Sequence, residues 1–118
     1  MPAQSTAKAA IRLLKARMRQ FIYQQKCRED ENIWAPMLIV ERGFLSGAVM
    51  EWEKVLASLD LTNPLVVEEL DAIVASALTQ ARADTIDLLS DRIPEVEAIL
   101  KGLPVSVSDL GVRSKDVN

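Results

Sequence analysis

Residues 33–59, IWAPMLIVERGFLSGAVMEWEKVLASL, decide the fold. Trp34, Leu38, Leu45, Ala48, Val49, Trp52, Leu56 and Leu59 recur at helical spacing and make one apolar stripe. Ile33, Met37, Val40 and Phe44 make a second stripe on a different face. A helix apolar nearly all round in its first half is expected to be central in a bundle or shared with another subunit. Pro36 suits the first turn, where its missing N–H costs nothing. The run is a poor membrane span, because Glu41, Arg42 and Pro36 interrupt it, and no membrane partner is expected.

Two details of this segment concern association. Gly43 and Gly47, followed by Ala48, form a G-x-x-x-G strip where another helix backbone can approach. Each glycine costs about 1 kcal/mol relative to alanine in a helix, so a compensating close contact is expected, either within the chain or across a dimer. Trp34 and Trp52 lie on one side of the helix, five turns apart, where core packing is the expected role and an interface anchor the alternative. The candidate interface is Trp34, Leu38, Gly43, Phe44, Gly47 and Trp52.

The segment before it differs in charge. Residues 1–28 carry Lys8, Arg12, Lys15, Arg17, Arg19, Lys26 and Arg28 and no acid, whereas the remainder sums to −10. Ile11, Leu14, Met18, Phe21 and Ile22 make a helical seam, and Lys8, Arg12, Lys15 and Arg19 follow a parallel track beside it. Ser5 or Thr6 offers a cap. Lys8, Arg12, Lys15, Arg17 and Arg19 are candidate contacts to phosphate or to an acidic protein surface. Docking on acidic surface is favoured, because the seam requires burial and the acids of the third helix are the most abundant neighbours. An Arg-rich, acid-free start also mimics an organelle transit peptide, a reading given less weight; no signal peptide is visible.

Beyond residue 59, the helix-start grammar is clear: Asn63 as cap, Pro64 at the first helical position, then Glu68, Glu69 and Asp71 near the positive end. Val67, Leu70, Val74, Ala77, Leu78, Ala81 and Leu88 carry its seam. Pro94 opens a short segment that Gly102 is expected to end in a left-handed cap. The predicted architecture is all-α: an antiparallel bundle of three long helices (5–31, 35–59, 64–91), a short helix 94–101 within a domain spanning 1–103, and an irregular tail 104–118, disordered unless a partner holds it.

Several chemistries are disfavoured. With 118 residues one core is expected, and with only five aromatic residues it is built from aliphatic side chains. No histidine is present, and the single Cys27 rules out an internal disulfide and weakly favours a reducing, cytoplasmic compartment. Glu68-x-x-Asp71 and Asp84-x-x-Asp87 superficially resemble the acidic pairs of all-helical nucleotide pyrophosphatases. No turn signal separates them, so they sit about 20 Å apart on different faces of one helix and cannot share a magnesium ion. No catalytic, cofactor or metal site is expected. The expectation is a non-enzymatic helical association module: a homo-oligomer that also engages another protein as an assembly component, adaptor or inhibitor. The alternative is a nucleic-acid-binding accessory protein using the basic helix.

Overall fold

A computed structural model describes residues 2–103 together with Val105 and Leu110, with side chains from Ser5 onward. Four helices follow one another: α1 (Pro2–Cys27), α2 (Glu31–Ala57), α3 (Pro64–Leu89) and α4 (Val96–Lys101). Among the described residues there is no strand. Three of the four helix starts move from their expected positions. α1 starts at Pro2, so Ser5 and Thr6 lie inside it and not at its start. It stops at Cys27, where a turn hands the chain to Asp30, whose carboxylate accepts a bond from the Ile33 N–H at 3.4 Å and starts α2. Pro36 therefore sits inside α2, beyond the first turn. Asn63 caps α3 as expected, its side chain accepting from the Leu65 N–H at 3.0 Å with Pro64 next to it. Gly102 ends α4 in a right-handed conformation, φ −81°, not the left-handed one expected.

The central helix is α1, not α2. It packs against α2 on one side and α3 on the other, and no Cα of α2 comes within 8 Å of one in α3. Small residues make this possible. Ala9, Ala10 and Ala16 are buried alongside Leu13, Leu14, Met18 and Ile22, so flanking helices approach the α1 backbone from two directions. The pairs joining α1 to α2 run in opposite order: Arg12 with Glu51, Arg19 with Glu41, Tyr23 with Trp34. Those joining α1 to α3 run in the same order: Lys15 with Asp84, Met18 with Thr85. The principal extents of 47 × 29 × 23 Å match a slab three helices wide and one helix long.

The C-terminal part covers one side of the slab. Ile93, Val96 and Leu100 are buried in the core. Of the segment expected to be an irregular tail, Val105 packs against that core, and Leu110 is buried with its carbonyl accepting a 2.8 Å bond from the Trp52 indole N–H. The other residues expected in that tail lie outside the described set.

Candidate association surface

The residues of α2 fall on two faces with opposite fates. Its inner face, turned to α1, buries Glu41, Ala48 and Trp52. Trp34 is half-buried on the same side, stacked on Tyr23 with ring centroids 5.9 Å apart, and Lys26 Nζ lies 5.7 Å from its ring. Leu38 is half-buried against the core. Three of the six candidate interface residues, Trp34, Leu38 and Trp52, thus serve the chain's own packing.

The other three, Gly43, Phe44 and Gly47, face outward. A Cβ added at Gly43 or Gly47 would meet nothing within 4 Å. The close contact expected to offset two helix glycines is therefore not made among the described residues. Around them stand Ile33, Ile39, Val40, Phe44 and Met50, each 58–66 % exposed. Ile39 and Met50 escaped the sequence reading, which assigned Ile33, Val40 and Phe44 to a stripe but not these two. Their signal is the spacing 39, 43, 47, 50, the i, i+4, i+8, i+11 track of one helical face on which two members are glycine. By length and composition α2 is the one helix among the described residues long and apolar enough to cross a membrane.

The basic ridge of α1 lies in a trough of about 270 Å³ lined by Lys8, Ile11, Arg12, Lys15 and Arg19. Its charges are largely met by the chain's own acids. Arg12 reaches Glu51 at 2.7 Å, Lys15 approaches Asp84 at 3.6 Å, and Arg19 Nε donates to Glu41 at 2.8 Å. Two of these acids belong to α2 and one to α3, a correction to the expectation that the third helix would supply them. Arg19 and Glu41 are the buried pair of the three, with side chains 17 % and 6 % exposed. Lys8 is exposed and makes no ion pair among the described residues. Arg17 points elsewhere, toward Phe21, Leu45, Val49 and Val105 on the side of α1 that the C-terminal part covers.

Electrostatics elsewhere is structural. Lys26 is nearly buried and donates to Glu29 at 3.0 Å and Glu95 at 2.9 Å, joining the end of α1 to the turn before α2 and to the start of α4. Bonds to Glu95 and Glu29 raise the Lys26 pKa above its ordinary value, and the bond from Lys26 lowers that of Glu95. Burial, with Glu41 adding to it, raises the Tyr23 phenol.

A groove of about 410 Å³ between α1 and α3 is lined by Ala7, Ile11, Ala72, Ile73, Ser76 and Ala77, with Glu69 and Gln80 beside them. Among the described residues no three His, Cys, Asp or Glu side chains gather as metal ligands. No protein-family model, curated protein or solved structure matches the chain.

Proposed function

We propose that this protein is a non-enzymatic helical association module that self-associates through the outer face of α2, with its three long helices alternating in direction as the pair order along α1 suggests. The observation that carries the reading is the face itself: five large apolar side chains, each more than half exposed, around two helix glycines with open space above them. Covering five such side chains contributes roughly 1 kcal/mol each, about 10 for a symmetric pair, against an association cost on the order of 4–15 kcal/mol. Close packing at the glycines then decides the affinity.

The basic helix supports this reading over nucleic-acid binding. Arg12, Lys15 and Arg19 already face Glu51, Asp84 and Glu41, so a phosphate must compete with carboxylates held in place. The test is multi-angle light scattering at micromolar concentration, with DNA and anionic vesicles as separate additions. The wild type is expected to exceed the 13.1 kDa monomer mass, and Val40→Glu to fall back to it. A monomeric wild type that instead binds DNA or vesicles would replace self-association with that partner.

A further inference from the structure

Resting on the self-association reading, the outer face of α2 also carries its own pairing rule. Seven exposed residues, Asn32, Pro36, Ile39, Gly43, Gly47, Met50 and Lys54, form one stripe along the helix. Their spacing is symmetric about Gly43: −11, −7, −4, 0, +4, +7 and +11.

We propose that α2 pairs with α2 of a second copy in antiparallel orientation about a two-fold axis at Gly43, each Ile39 seating over the Gly47 of its partner. The symmetric spacing brings every stripe residue opposite its mirror. Gly43 meets Gly43, which lets the backbones approach. Ile39, 66 % exposed, meets Gly47, where an added Cβ would meet nothing within 4 Å among the described residues. Pro36 meets Met50, apolar on apolar. Asn32 meets Lys54, an amide oxygen within reach of an ammonium, with Asp30 and Glu31 adding negative charge at that end. Lys54 makes no ion pair among the described residues, so its charge is available. A parallel pair matches like with like. Lys54 then stands beside Lys54, and Ile39 against Ile39 holds the helices apart where Gly47 facing Gly47 leaves a void. Large against small and donor against acceptor favour the antiparallel pair.

Two measurements test the pairing after light scattering has established the mass. Gly47→Leu fills the hollow and is expected to weaken the dimer at least tenfold. Adding Ile39→Ala empties the opposing position, and affinity is expected to return to within about threefold of wild type. In a parallel pair the second substitution removes a contact and rescues nothing. Spin labels on Ser46→Cys and on Glu53→Cys, each with Cys27→Ser, then read orientation by electron–electron dipolar coupling. Antiparallel pairing about Gly43 makes the residue-53 distance longer than the residue-46 distance by roughly 20 Å, at 1.5 Å rise per residue. A dimer with equal distances, or without rescue, overturns the antiparallel pairing and leaves self-association standing. A monomer at every concentration overturns both.

Discussion

Helices α1 and α2 are nearly equal in length and opposite in what their composition suggests. α1 carries six basic residues, yet it buries Ala9, Ala10, Leu13, Leu14, Ala16, Met18, Ile22 and Tyr23. α2 is far more apolar, yet of its 27 residues it buries only Glu41, Ala48 and Trp52. Apolarity measures how much cover a helix needs; the size of its side chains and the neighbours available decide how much it receives. The alanines of α1 give two helices access to its backbone at once. α2 has α1 on its inner side and the C-terminal part beside Leu45, Val49 and Trp52, and among the described residues its outer face remains exposed.

The comparison is broken or sharpened first by truncation. Leu14→Ala or Met18→Ala in α1 leaves a cavity in a fully buried site and is expected to cost about 2–5 kcal/mol in urea unfolding at low protein concentration. Ile39→Ala or Val40→Ala in α2 is expected to cost less than about 1 kcal/mol under the same conditions. Equal costs in the dilute chain would mean that α2 is as covered as α1. A cost for Ile39→Ala that grows with concentration would show the partner copy supplying the missing cover.

Next in size is the pair that fastens the two helices. Arg19→Met leaves Glu41 buried without its cation and is expected to destabilise by about 3 kcal/mol, whereas Arg19→Met with Glu41→Leu recovers most of the loss. Failure of the double variant to recover would show that the pair stabilises beyond its desolvation cost. A smaller effect attends the C-terminal contact on α2. Trp52→Phe keeps a ring in the core but removes the bond to the Leu110 carbonyl, and about 1 kcal/mol is expected from thermal or urea unfolding.

The smallest effect is spectroscopic. Tyr23 is the single tyrosine, so phenolate absorbance reports it alone. Burial holds its folded pKa above 10.0, with Glu41 adding to the shift. Its neutral form therefore favours the fold below pH 10, and that contribution is lost as pH rises through the folded pKa. The folded protein is expected to titrate above 10 and Glu41→Gln to titrate lower. Lys26 follows the same alkaline sign, while its partner Glu95, whose pKa is lowered, contributes above pH 4.5 and loses its contribution as pH falls through the folded value.

The helices themselves were legible because caps and periodicity are local: Asn63 with Pro64 marks the start of α3, and the seam Leu70, Val74, Ala77 and Ala81 is buried. The centre of the fold was not. The stripe through α1 takes in Leu14, Met18 and Ile22 but passes over Leu13 and the small Ala9, Ala10 and Ala16, which let flanking helices approach the backbone. Asp30 lies in the acidic run Glu29, Asp30, Glu31, and its capping role depends on a backbone angle that no composition reveals. Within the candidate site, the glycines were legible as a strip. Which way they faced depended on Trp34 and Trp52 both turning to α1, and that orientation is set by the Tyr23 ring and by Leu110, far away in sequence.

The central claim, that a second copy covers the outer face of α2, is tested most directly by methyl NMR with a soluble paramagnetic agent over a dilution series. Ile39 and Val40 methyls are predicted to be shielded at high protein concentration and exposed at low concentration, while Leu13 and Val74 methyls stay shielded throughout. Ile39 and Val40 methyls that remain equally accessible at every concentration would contradict it.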